Sequence, residues 1–193
     1  MSNKAFYLDK LKTEVNPVKK VGWDNVERAQ LRYEHTAGQL RYLGCTSVLD
    51  YGCGIGGLYK YVKNDMYYVG YDIVEEYKQD LLIPSEQFVT KFPYTSVFDA
   101  SVLLGTFTLN KEELSNDAFF AEFAKVIENN ITSNTDYLVM TGFHEGVDKK
   151  DPKLYYFNIN QLVKYLHSIG YVDIKITFPI SPYEIFLKAK LSL

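Results

Sequence analysis

The chain is short of cysteine and has no surplus of positive charge, and both shortages narrow what it can be. Cys45 and Cys53 are its two cysteines. That number and spacing suit neither a disulfide framework nor a metal knuckle, so no metal is expected and a reducing, cytoplasmic compartment is the simpler expectation. No stretch approaches the roughly 18 consecutive apolar residues that a membrane-spanning helix needs. The opening MSNKAFYLDKLKTEV lacks the apolar centre and cleavage site of a secretory leader, so neither a membrane nor an export signal is expected. Lys and Arg number 21 against 24 Asp and Glu, a net charge of -3. Proteins that live on nucleic-acid phosphates usually carry the opposite balance, so the charge does not point to nucleic acid as a partner. Lys10, Lys12, Lys19 and Lys20 do crowd towards one end, and read as a solvated arm. There is no internal repeat and no low-complexity linker.

What remains is an ordinary globular composition of 193 residues. That length predicts a single domain over 1–193 and suffices to bury a core without staples. Pro17 and Gly22 mark residues 1–22 as irregular. Helical patterning runs from Asp24 to about Tyr42, with Val26, Leu31, Leu40 and Leu43 supplying part of an apolar face. SVLDYG, residues 47–52, reads as a buried strand entering a glycine-rich turn, followed by a helix over 55–63. Further strands are expected over 66–72, weakly over 87–91, and over 97–105, 136–143, 171–178 and 184–191. Helices are expected over 75–82, 116–129 and 158–168. Alternating strands and helices imply an α/β three-layer sandwich, with a doubly wound, mostly parallel sheet of roughly seven strands. The last two runs are close enough in sequence to form a hairpin, which makes the last strand antiparallel. Residues 1–45 form an arm and helix capping the site, and 46–193 the core.

In such sheets ligands bind beyond the carboxyl ends of the strands, where strand order reverses. Asp50-Tyr51-Gly52-Cys53-Gly54-Ile55-Gly56-Gly57 is the first turn to reach that place. Gly52 permits a sharp turn, Gly54 a close approach of ligand to backbone, and Gly56 or Gly57 a tight helix start. Asp72 ends the second strand, where a carboxylate can accept hydrogen bonds from both ribose hydroxyls. The glycine spacing alone fits two cofactors. Gly52, Gly54 and Gly57 satisfy GxGxxG of dinucleotide folds, and Gly52, Gly54 and Gly56 satisfy GxGxG. Asp50 inside the motif, the short chain and the reversed last strand weigh against a nicotinamide enzyme. An acid at Asp50 suits holding the loop's amides or, through water, a ligand ammonium.

VLDYGCGIGGLYKYV followed by YYVGYD resembles the first two motifs of the class I, Rossmann-like S-adenosylmethionine-dependent methyltransferases, and the element order is similar over roughly residues 24 to 191. The pairs Gly22-Trp23 and Arg32-Tyr33, with the triplet Gly105-Thr106-Phe107, look like stretches found in small bacterial and phage members. The resemblance implies S-adenosylmethionine as cofactor. Gly52, Gly54 and Gly56 would form the loop along its methionine part, Asp50 the acidic neighbour and Asp72 the ribose ligand. Cys53, Ile73 and Gly105 complete the cofactor side, and Arg32 is the candidate clamp for the cofactor carboxylate. FVTKFPY, where many relatives place an acid against adenine, has none; backbone groups near Thr90 to Phe92, with Phe92 as an apolar contact, are the substitute expected here.

Methyl transfer from a sulfonium needs alignment and exclusion of water, with a base only where the acceptor must lose a proton. His144, in GFHEG after the fifth strand, is the candidate base. Thr106 and Asn110 are the polar candidates after the fourth. The acceptor expected is a small molecule, sugar or nucleotide. Two rivals stand beside it. RNA or another nucleic acid as acceptor calls for a basic groove, and a non-catalytic module binding S-adenosylmethionine calls for a pocket without polar groups near the sulfonium.

Overall fold

A computed structural model describes residues 2–110 and 114–192. Its strands are β1 (Ser47–Tyr51), β2 (Tyr67–Tyr71), β3 (Phe88–Val89), β4 (Phe98–Leu104), β5 (Thr135–His144), β6 (Tyr156–Phe157), β7 (Tyr171–Thr177) and β8 (Glu184–Leu191). They form one sheet in the order β3-β2-β1-β4-β5-β8-β7, with β6 beside the end of β5. Every pairing among β1 to β6 is parallel, while β8 runs antiparallel to both β5 and β7. The doubly wound α/β sandwich with a reversed last strand is therefore present. It has one strand more than expected, because β6 continues the β4 side of β5 past Leu104, which stands opposite Thr141. Two residues are too few to show a periodicity, which is why this strand is silent in the sequence.

Side chains alternate across the sheet. Val48 and Val139 face one apolar cluster, whereas Leu49, Leu138 and Met140 face the other. The first cluster is covered by α3 (Val26–Tyr42) and α4 (Tyr59–Val62), and the second by α5 (Asn116–Val126) and α6 (Ile159–Ser168). Asn25, Ser115 and Asn158 cap α3, α5 and α6 by accepting backbone N–H groups, which sets where these helices begin.

Three local expectations need correction. Residues 1–22 are not irregular: α1 (Asn3–Thr13) is capped by Ser2, and α2 (Pro17–Lys20) by Asn16 with Pro17 at its first position. Neither helix buries a residue fully, so neither leaves an apolar stripe to read. The inward face of α3 is Ala29, Arg32, Tyr33, Thr36, Ala37 and Leu40, while Leu31 points to solvent. A buried arginine and threonine conceal that face in the sequence. The helix expected over 75–82 is a 3-10 turn over Glu75–Gln79. No described helix is long and apolar enough to cross a membrane.

Candidate functional site

At the carboxyl ends of β1, β2 and β4 lies a cavity of about 270 Å³. Its floor is the turn Asp50–Gly54, and its sides are Tyr71–Val74 and Leu104–Phe107. Tyr7, Val21 and Trp23 close it from the N-terminal segment. Strand order reverses between β1 and β4, so the cavity sits at the switch point of the sheet.

The turn is held by β2. The N–H groups of Gly52 and Cys53 both donate to the Tyr71 carbonyl, at 2.8 and 3.0 Å. Gly52 and Gly54 have φ of 77° and 57°, a region costly for residues with a Cβ. Both also lack room. A Cβ on Gly52 would lie 2.6 Å from Thr106, and one on Gly54 would lie 2.5 Å from Val21. The side chain pressed against Gly54 is thus the protein's own, supplied by the arm. Gly56 accommodates Ile83, and Gly57 the ring of Tyr33, in the same way.

The acid that fastens the loop is Asp72 and not, as the sequence suggested, Asp50. Asp72 accepts the N–H of Gly54 and that of Val74, each at 2.9 Å. Burial raises its pKa, while the backbone N–H groups of Val74, Gly54 and Ile73 lower it. Gly54 and Val74 each take one of its two oxygens, the Ile73 N–H acts on it as well, and the carboxylate lines the cavity with acceptor capacity left. Asp50 instead accepts the Tyr68 hydroxyl at 2.7 Å beneath the turn and is 3% exposed. Burial pushes its carboxyl up to about 7; the Tyr68 hydrogen bond opposes this and the charge of Asp72 adds to it.

The remaining cofactor-side candidates divide. Cys53, Ile73 and Gly105 line this cavity together with Asp50, Gly52, Gly54 and Asp72, whereas Gly56 does not. Ile73 is 61% exposed, an apolar side chain standing on the cavity lip. Phe92 is buried behind the wall, packed on Tyr51 and Tyr71, and those two tyrosines line the cavity instead. Arg32 is not in this cavity. Its Nε and Nη2 both donate to the Glu184 carboxylate, and its guanidinium lies 3.9 Å from the centre of the Trp23 ring. That pairing takes the guanidinium away from the role of carboxylate clamp. Among the described residues, Lys4 is the cation that lines the cavity.

Two of the three candidates for the chemical step lie elsewhere. His144 lines neither this cavity nor its neighbour. Its Nδ1 accepts the Gly146 N–H at 3.2 Å and its Nε2 lies 2.8 Å from the Pro182 carbonyl, so one nitrogen serves the loop that follows β5 and the other the loop joining β7 to β8. Asn110 accepts the N–H of Leu114 and donates to its carbonyl, and it lines neither cavity. Thr106 does line the cavity, but its hydroxyl donates to the Tyr51 carbonyl at 2.7 Å and so shapes the wall.

A second cavity, of about 240 Å³, adjoins the first and shares Tyr7, Val21, Trp23 and Gly105 with it. Glu184 and Thr141, both almost completely buried, line it, as does Arg28. Sequence reasoning missed Glu184 and Thr141. Glu184 heads the run EIFLKAKL, where an acid reads as an exposed strand end. Its register opposite Phe143 in β5 is what brings it to Arg32.

No protein-family model and no curated protein matches this chain. Solved structures do share its fold. The magnesium protoporphyrin IX methyltransferase of Synechocystis, with bound S-adenosylhomocysteine, is similar at a TM-score of 0.66 and 17% identity, over 98% of this chain and 96% of that one. The 1,6-didemethyltoxoflavin-N1-methyltransferase of Burkholderia thailandensis, with bound 1,6-didemethyltoxoflavin and S-adenosylhomocysteine, gives 0.59 and 17%, over 100% of this chain and 92% of that one. The N-methyltransferase NodS of Bradyrhizobium japonicum gives 0.62 and 10%, over 89% and 100%. At these identities the likeness is one of fold: this chain has the Rossmann-like architecture seen in S-adenosylmethionine-dependent methyltransferases.

Proposed function

We propose that this protein is an S-adenosylmethionine-dependent methyltransferase acting on a small-molecule, sugar or nucleotide acceptor in the cytoplasm. In this reading 1–193 is one domain, with 1–45 capping the site and 46–193 forming the core. Gly22-Trp23, Arg32-Tyr33 and Gly105-Thr106-Phe107 favour a place beside small bacterial and phage enzymes.

The observation that carries the reading is the carboxylate of Asp72, tied to Gly54 and facing the cavity with acceptor positions unspent. Ribose hydroxyls are the donors expected there. The exposed Ile73 offers an apolar surface on which an adenine ring would lie, and the turn Gly52–Gly54 borders the space for the methionine part. Lys4 replaces Arg32 as the candidate partner of an anionic end of the ligand. Support also comes from similar folds that hold S-adenosylhomocysteine. The cofactor, when bound, supplies an electrophilic methyl group on a sulfonium that departs as a neutral thioether. The protein's part is to align the acceptor and exclude water. Tyr7, Val21 and Trp23 do the excluding, because they separate the cavity from solvent on its N-terminal side. Neither His144 nor Asn110 is placed to act on a group in either cavity, and we assign them to loop structure.

Calorimetry tests the reading. S-adenosylmethionine and S-adenosylhomocysteine are expected to bind and NAD is not. Binding of NAD with no heat from either sulfur compound would overturn it.

A further inference from the structure

The second cavity has a composition of its own. Phe6, Tyr7, Trp23 and Phe143 give it aromatic walls. At about 240 Å³ it is close in size to the first cavity, and its aromatic walls suit a ring system.

Two of its polar groups, Glu184 and Thr141, are incompletely paired. The Glu184 carboxylate is 3% exposed and accepts two hydrogen bonds, both from Arg32. A carboxylate offers about four acceptor positions, so two are open where it faces the cavity. Thr141, 2% exposed, accepts the Gly105 N–H at 3.1 Å, and its own hydroxyl donates to nothing among the described residues. Thr106 and Thr108 differ, since their hydroxyls are spent on the Tyr51 and Gly105 carbonyls. A buried ion pair built only for stability has no need to border a cavity, and burying one costs desolvation. Here the Arg32 guanidinium stacks on Trp23, the residue that also lines the first cavity, and its two hydrogen bonds fix the Glu184 carboxylate in direction.

We propose that this second cavity binds the methyl acceptor, and that the acceptor is a small aromatic or heteroaromatic molecule whose N–H or O–H donates to Glu184. The proposal rests on the methyltransferase reading and adds the substrate class to it. Thr141, next to Gly105, has a hydroxyl proton to donate to the ring. Glu184 binds and orients; Arg32 acts through it as a positioning residue.

The test uses ligand-observed NMR on the full chain, with and without S-adenosylhomocysteine. The probes are phenol, indole and benzimidazole, each beside its methyl-capped form: anisole, 1-methylindole and 1-methylbenzimidazole. At least one parent compound is expected to bind roughly tenfold or more tightly than its capped partner, the range of one hydrogen bond to a charged group. That preference should vanish in the double variant Glu184→Leu with Arg32→Met, which removes the acceptor without leaving a lone buried charge. Equal binding of every pair, or a preference that survives in the folded double variant, overturns the proposal. If the double variant does not fold, the wild-type comparison decides. Failure of the cofactor reading shows separately, as absence of S-adenosylhomocysteine binding by calorimetry.

Discussion

Asp72 accepts the amide proton of Gly54 at 2.9 Å, so the carboxylate that ends β2 also fastens the turn that leaves β1. One side chain thereby sets the shape of the loop and presents the cavity with a charged acceptor. Asp72→Ala removes both. Hydrogen bonds to charged groups contribute about 1.5 to 3 kcal/mol each, so the affinity for S-adenosylhomocysteine should fall roughly 10- to 150-fold for each bond lost. Asp72→Asn keeps a carbonyl acceptor for Gly54 and should lie between the two. Calorimetry measures both variants, and an unchanged dissociation constant for Asp72→Ala would remove this residue from the site.

The Arg32–Glu184 pair predicts a pattern in stability. Side-chain exposure is 8% and 3%. Removing one partner strands a buried charge, which typically costs about 3 to 5 kcal/mol, whereas replacing both with apolar groups of similar volume is often neutral or favourable. Glu184→Ala should therefore unfold at clearly lower denaturant concentration than wild type, and Glu184→Leu with Arg32→Met should recover most of the loss. Were the single and double variants equally destabilised, the lone charge would not be the cause.

Asp50 makes stability depend on pH in a particular direction. Its carboxyl is raised from 3.8 to about 7 in the fold, so between those values the folded state holds more of its proton than the unfolded chain does. Stability from this group is full below about pH 4, declines as pH rises towards 7 and is level above it, by up to about 1.4 kcal/mol per pH unit inside the window. Asp50→Asn can still accept the Tyr68 hydroxyl but no longer titrates, so this part of the slope should disappear. Denaturant unfolding of both proteins across that window checks it; identical slopes would place the proton elsewhere.

Trp23 is the sole tryptophan, and it lines both cavities. Its emission should change when S-adenosylhomocysteine binds. Trp23→Phe should lose that optical signal and keep calorimetric binding, somewhat weakened because the guanidinium of Arg32 loses its better aromatic partner. An emission spectrum indifferent to a ligand that calorimetry shows to bind would mean the ligand lies away from this wall.

The alternation of strands and helices, the reversed last strand and the glycine turn ending near Asp72 were all legible in the sequence. Each is a local pattern: a period of two or of 3.6, or a backbone that only glycine adopts easily. So the place of the cofactor cavity followed from residues 47–72 alone. Other roles were not legible, because they depend on residues far apart in the chain. Arg32 read as a free cation on a helix, and only the register of β8 on β5 shows Glu184 taking it. His144 read as a base after a strand, and only the fold shows both its nitrogens occupied, one by Gly146 just after β5 and the other by Pro182 between β7 and β8. Val21, in a stretch that read as irregular, turned out to press on Gly54 across the turn. The sequence by itself determined the architecture and the position of the cofactor turn, since these are written in the local conformational preferences of neighbouring residues. The tertiary structure alone decided which acid holds the turn, which charge is already paired and where a second cavity lies, because pairing and enclosure are properties of surfaces that meet only when the chain has folded.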